Sequence, residues 1–209
     1  SPTLSKAFTL AALTSRYSQE QNEKDGTAMA TRQTPFEETK EYKLGEEGED
    51  IAILFLQKRG WFVVPSRDYN KDKTGQKAPR LQGETKGYVL PDLDVSCPKR
   101  GRRWVEVKTK NEAPFNRTYR INVHGLPRRL FLDYRSVESI TGANVWLYVY
   151  ESNEGLLLIE KLFDLEPYDC LCSACRRGDP ERCNQSRGGM IYFDRDAFQV
   201  VDLRQLSLF

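Results

Sequence analysis

The chain has 209 residues, with 32 Lys and Arg against 30 Asp and Glu and a formal charge of +2. Such a length is enough for one sizeable core, as one domain or one domain with an appendage. The balanced charge excludes a histone-like binder with a wholly basic surface, and no apolar run approaches a membrane span, so a soluble protein with no membrane partner is expected.

In chain order, residues 1–40 differ from the rest of the chain. Leu4 to Leu13 is mildly apolar, but it is too short and lacks the cleavage context of a secretion signal. Ser15 to Lys40 is dominated by Ser, Thr, Gln, Glu, Lys and Asp, which bury too little apolar surface to offset the entropy of ordering. A flexible arm is expected here, with one helix at most, at Leu4 to Arg16. The opening Ser1, in place of Met, suggests a trimmed terminus.

The folded domain is expected over residues 41–209. Its first element is a helix carrying Ile51 to Leu56 and ending at Gly60, followed by a strand from Trp61 to Pro65. Glu49 stands at helical spacing from Ile53 and Leu56 and so points toward the sheet, where a carboxylate needs a partner. The alternative is that Glu46, Glu47, Glu49 and Asp50 simply favour the positive end of the helix dipole. Residues 66–87 are polar and basic and read as a long loop. Arg67, Lys71, Lys73, Lys77, Arg80 and Lys86 either meet phosphates there or merely face water.

Tyr88 to Lys110 reads as a β-hairpin, with Val89 to Ser96 and Trp104 to Lys108 as strands and Pro98 to Gly101 as the turn. Alternation puts Asp92 and Asp94 on one face of the first strand and Glu106 and Lys108 on one face of the second. A turn centred near Arg100 sets Asp94 opposite Glu106 and Asp92 opposite Lys108. Carboxylates opposed in this way destabilise a sheet unless a cation lies between them, and Mg²⁺ (or Mn²⁺) suits hard oxygen donors. Lys108 is then placed to orient an attacking water and offset charge on a phosphate oxygen. The plainer alternative is a solvated hairpin with charges on its outer face.

Pro91-Asp92-Leu93-Asp94 followed by Glu106-Val107-Lys108 resembles the signature of the PD-(D/E)XK nuclease superfamily, which includes restriction endonucleases and Holliday junction resolvases. The resemblance implies an α/β fold with a restriction endonuclease-like core, a central mixed β-sheet flanked by helices. It also implies a Mg²⁺-dependent endonuclease acting on DNA in a cytoplasmic, prokaryotic or phage-type setting. Asp94 and Glu106 would bind the metal with Asp92 in support, and Lys108 would be catalytic. The first helix, with Gly-Glu, Ala and an apolar run ending in Gly and an aromatic, is similar to that of the superfamily and would bring in Glu49, with Glu47 as runner-up. Many relatives are dimers, so a homodimer is one implied assembly, although no residue pattern here fixes it.

Beyond the hairpin, Tyr119 to Val123 is expected to add a third strand, His124-Gly125 to turn, and Leu126 to Ile140 to form a helix with Leu130, Tyr134, Val137 and Ile140 toward the core and Gly142 as cap. Asn144 to Glu151 and Leu156 to Glu160 read as strands joined by a turn at Asn153 to Gly155. By resemblance, Arg128, Arg129, Arg135 and Lys110 are candidate substrate contacts, whereas His124 reads as a structural or turn residue more readily than as a general acid or base.

Cys170, Cys172, Cys175 and Cys183 lie in one short polar stretch, within an insertion expected over residues 166–189. Four thiolates this close suit a single tetrahedral ion, and a loop without a core gains its fold from binding one. Zinc is the first choice, an iron–sulfur cluster the second, and a pair of disulfides the third. Arg176, Arg177, Arg182 and Arg187 surround the insertion, and Cys97 stands apart as a free thiol. The tail, Asp194 to Phe209, reads as an edge strand and a turn without chemistry. A catalytically silent nuclease-like module that binds nucleic acid is the competing function.

Overall fold

The computed structural model describes residues 40–66 and 79–206. The arm expected over residues 1–40 lies outside them but for Lys40, as do Arg67, Lys71, Lys73 and Lys77. The elements are α1 (Lys40–Lys58), β1 (Phe62–Pro65), β2 (Arg80–Gln82), β3 (Gly87–Val89), β4 (Leu93–Cys97), β5 (Gly101–Lys110), β6 (Phe115–Asn116), β7 (Ile121–Pro127), α2 (Arg128–Thr141), β8 (Val145–Glu151), β9 (Leu156–Lys161), β10 (Tyr168–Asp169), α3 (Ser173–Arg176), β11 (Met190–Asp194) and β12 (Gln199–Asp202).

A six-stranded mixed sheet, ordered β1-β4-β5-β8-β9-β12, forms the centre. Its only parallel pair is β5 with β8, joined by a crossover that contains α2; the other neighbours are antiparallel. Along β8 the side chains divide strictly: Val145, Leu147 and Val149 enter one core, while Tyr148 and Tyr150 enter the other. Burial on both faces explains why VWLYVYE is apolar almost without interruption.

Helix α1 covers one face. Ile51, Ala52, Phe55 and Leu56 recur at helical spacing and pack with Val105, Val107 and Ile159. One turn earlier the backbone comes closest at Gly48, where an added Cβ would lie 1.9 Å from Thr109 Oγ1. A side chain there would collide with Thr109, so Gly48 lets the middle of α1 lie close against the end of β5. Cys97 is a free thiol, buried in this same core.

The opposite face is covered by α2, through Phe131, Tyr134 and Val137, and by Leu126, Ile191 and Phe193 from a second, four-stranded sheet ordered β10-β11-β7-β6. The third strand expected near Tyr119 to Val123 therefore starts later, at Ile121, and joins this second sheet, not the central one. His124-Gly125 does not turn the chain; both residues lie within β7, opposite Phe193 and Tyr192. Gly125 is there because a Cβ would come within 2.8 Å of the Tyr192 ring. The helix after it begins at Arg128, since Leu126 and Pro127 are still paired to β11, and Gly142 closes it in the left-handed conformation.

Two further differences concern the basic loop and the hairpin. Arg80 to Gln82 forms β2, paired with β3, inside the stretch read as loop. The strand expected from Val89 to Ser96 is broken over Leu90 to Asp92, with Pro91 at the break. The tail forms β12 at the sheet edge, then a 3₁₀ turn at Leu203–Leu206. Among the described residues, no helix is long and apolar enough to cross a membrane.

Candidate active site and metal centre

The β4–β5 register decides which carboxylates meet. Cys97 pairs with Gly101, so the turn is Pro98-Lys99-Arg100, centred on Lys99, with Gly101 at φ +78°. Moving the centre by one residue moves every partner by two. Faces are kept and neighbours change. Asp94 stands opposite Trp104, not Glu106, and its carboxylate takes two hydrogen bonds from Arg102, at 2.8 and 2.7 Å. The register Leu93↔Val105 carries Asp92 to the side of Glu106, and Asp92 Oδ2 accepts the Val107 N–H at 2.8 Å. The acidic pair is thus Asp92 with Glu106. The expected pairing of Asp94 with Glu106 is corrected, because a turn centred on Lys99 sets Asp94 opposite Trp104, where it is ion-paired with Arg102.

Glu106 is only 1% exposed, which rules out the solvated-hairpin alternative. One carboxylate oxygen accepts from the Lys108 ammonium and the other from the Tyr134 hydroxyl, at 2.5 Å. Burial, and then the charge of Asp92, push the Glu106 carboxyl up to about 7, against the opposing pull of Lys108 and Tyr134. Burial works against the Lys108 ammonium too, but Glu106 and Asp92, with a contribution from Glu49, hold its pKa above the ordinary lysine value. Lys108 remains partly open to solvent, at 30% side-chain exposure.

Glu49 borders the buried stripe of α1 and is half-buried. Its field reaches Lys108, yet Asp92, Glu106 and Glu49 do not converge as a three-ligand group. Glu47 is turned elsewhere, accepting from the Tyr150 hydroxyl at 3.5 Å. Tyr134 was expected only as a core residue. A clue lay in its hydroxyl, since a tyrosine at a core position needs a polar partner where phenylalanine would not.

The expected substrate residues are dispersed. Arg128 is ion-paired with Asp169, Arg129 is exposed near the start of α2, and Arg135 lies over the Phe131 and Phe163 rings. Lys110 is at the exposed end of β5, two residues beyond Lys108. His124 is buried and bonds through Nε2 to Glu151 at 2.9 Å, while Arg195 grips the same carboxylate at 2.7 Å. Burial lowers the His124 pKa despite that bond, which fits a neutral structural imidazole.

The second constellation is the Cys knuckle between β10 and β11. The four sulfurs of Cys170, Cys172, Cys175 and Cys183 lie within 4.8 Å of one another, and this is the one group of three or more converging metal-ligand side chains among the described residues. Cys183 Sγ is 3.7 Å from both Cys170 and Cys172, too far for a disulfide. The Cys175 backbone N–H lowers the Cys172 thiol to about 6, whereas burial and the neighbouring thiols push Cys175 up. Four thiols this close do not ionise together without a cation, so the cluster has the chemistry to hold a metal ion.

No protein-family model matches the chain, and no curated protein does. A solved structure that it resembles is that of the Holliday junction resolvase Hjc of Archaeoglobus fulgidus, an archaeal hyperthermophile, with 13% identity over 78% of this chain and 93% of that one and a TM-score of 0.45.

Proposed function

We propose that the protein is a divalent-metal-dependent nuclease that hydrolyses phosphodiester bonds in DNA, as an endonuclease. The observation that carries the reading is Glu106, a buried carboxylate set beside Asp92 and in contact with Lys108. Asp92 and Glu106 supply the hard oxygens that Mg²⁺ or Mn²⁺ takes. When bound, the ion supplies a lowered pKa for water and stabilises charge on the phosphate. Within the chain, Asp92 and Glu106 hold the ion, Tyr134 fixes the rotamer of Glu106, and Lys108 orients water and offsets oxyanion charge. Glu49 adds negative potential at Lys108.

The competing reading, a module that binds nucleic acid without cutting it, draws on the fact that both Glu106 oxygens already have protein partners. Incubation of plasmid and linear DNA with Mg²⁺, Mn²⁺ or EDTA separates the two. Metal-dependent cleavage that disappears in Glu106→Ala supports the nuclease, and binding without cleavage under every metal supports the module.

For the knuckle we propose one zinc ion. A tetrahedron with Zn–S bonds of about 2.3 Å has edges of about 3.8 Å, close to the two 3.7 Å separations. In an iron–sulfur cluster the thiolates are shared among several irons and spread wider than 4.8 Å. With all four positions filled by cysteine the ion is structural. Metal analysis should give one zinc per chain and no visible absorption band.

A further inference from the structure

A cleft of about 620 Å³ opens where three elements meet: α2 contributes Arg128, Arg129 and Asp133, the β2–β3 hairpin contributes Lys86, and the knuckle contributes Glu181 and Arg187. Most of these charges are already committed. Arg128 pairs with Asp169, Arg187 with Glu181 at 2.9 Å, and Asp133 accepts the Val89 N–H at 3.2 Å. Arg129 and Lys86 have no carboxylate partner among the described residues, and both are exposed. The same corner holds the start of α2, which has no side-chain cap and no acidic residue in its first turn. Lys86 lies over the Tyr88 ring at 4.7 Å, a contact that leaves its ammonium without a counter-charge, so two cations without carboxylate partners and a positive helix end face one concave space.

The helix that lines this cleft also reaches the acidic pair. Tyr134, which bonds Glu106, follows Arg129 by five residues, a rise of about 7.5 Å along the axis. The third wall belongs to a segment with little core of its own. Gly189, at φ +90°, is held between Cys175 and Arg128: an added Cβ would touch Cys175 Sγ at 3.7 Å and Arg128 Nε at 3.8 Å, and its carbonyl accepts the Arg128 N–H at 2.9 Å. The cysteine cluster and the cleft thus share one contact chain.

We propose that this cleft is a second phosphate subsite for DNA, in which Arg129 and Lys86 take backbone phosphates flanking the scissile one, and that its third wall is complete only while the knuckle holds its metal. The inference rests on the nuclease reading for the identity of the ligand. It is tested by binding of a short labelled duplex to Glu106→Gln protein, without Mg²⁺, over a range of NaCl concentrations. Adding Arg129→Ala and Lys86→Ala should weaken binding roughly tenfold and lower the slope of log K against log salt by about 2. Arg182→Ala, on the knuckle but outside the cleft, should leave the slope unchanged. Protein stripped of knuckle metal should bind several-fold more weakly and recover with one equivalent of Zn²⁺, a measurement that does not depend on a cysteine variant folding. An unchanged slope in the double variant, an equal loss in Arg182→Ala, or undiminished binding by stripped protein would each overturn the proposal. A slope that falls as expected in a protein that never cuts DNA would sink the nuclease reading and leave the cleft standing.

Discussion

The acidic strand pair and the cysteine knuckle both crowd together groups that repel when ionised, yet they are held in opposite ways. Asp92 and Glu106 sit on a two-sided sheet whose core would exist without them, and Glu106 is satisfied by Lys108 and Tyr134. The knuckle has two short helical turns and little apolar burial beyond Cys170 and Ala174, so its ligands are also its framework. Losing the ion should therefore cost the first region its chemistry and the second its structure.

The sharpest break in this comparison comes from Glu106→Ala. DNA cleavage should fall on the order of 10³-fold or more, as when a preorganised charge at a reacting phosphate is lost, while far-UV circular dichroism stays native. Next comes the paired change Cys172→Ser with Cys175→Ser. Zinc content should drop to near zero and limited proteolysis should cut between Cys170 and Gly189, while the six-stranded sheet keeps its protection against hydrogen exchange.

A smaller effect separates the regions by pH. The metal-free Glu106 carboxyl has its folded pKa raised to about 7, so the folded state holds a proton that the unfolded chain releases near 4.5. The stability contributed is complete below the unfolded value and is lost as pH rises through about 7. Metal-free Glu106→Gln should therefore melt near wild type at about pH 4, below the unfolded value, and several degrees above it at about pH 8.5. Metal binding requires the deprotonated carboxylate, so Mg²⁺ affinity, read by calorimetry, should rise across the same interval.

A packing change comes last, next in the chain to Glu49 and Lys108. Gly48→Ala places a methyl group 1.9 Å from Thr109 Oγ1 and should cost about 1–3 kcal/mol in denaturant unfolding, relieved in part by Thr109→Ala.

The contrast also explains what could be read from the sequence. The knuckle was legible because its ligands are close in the chain: Cys170, Cys172, Cys175 and Cys183 need no knowledge of distant pairing. The strand site was legible by face but not by neighbour. Alternation describes Asp94 on β4 and Glu106 and Lys108 on β5, but Asp92 lies in the break before β4, and the choice of acidic partner turned on whether Lys99 or Arg100 centres the turn. Arg102, which withdraws Asp94, is a partner that the motif alone does not reveal. The strands β8 and β9 and the helix α2 followed from apolar patterning, but the assignment of β7 to a second sheet depended on pairing with β11, 67 residues beyond Val123 at its Met190 end. Burial of the Tyr134 hydroxyl against Glu106 belongs to the same class of long-range fact.

The central claim is that Asp92, not Asp94, completes the carboxylate pair with Glu106. Plasmid cleavage in Mg²⁺ by Asp92→Asn and Asp94→Asn, side by side with wild type, addresses it directly. The expected result is loss of at least about 10²-fold in Asp92→Asn, within the range for removing a charge that stabilises the transition state, and near wild-type cleavage in Asp94→Asn. Activity that survives in Asp92→Asn but vanishes in Asp94→Asn, or a wild-type protein that leaves the plasmid intact under Mg²⁺ and Mn²⁺ alike, would contradict it.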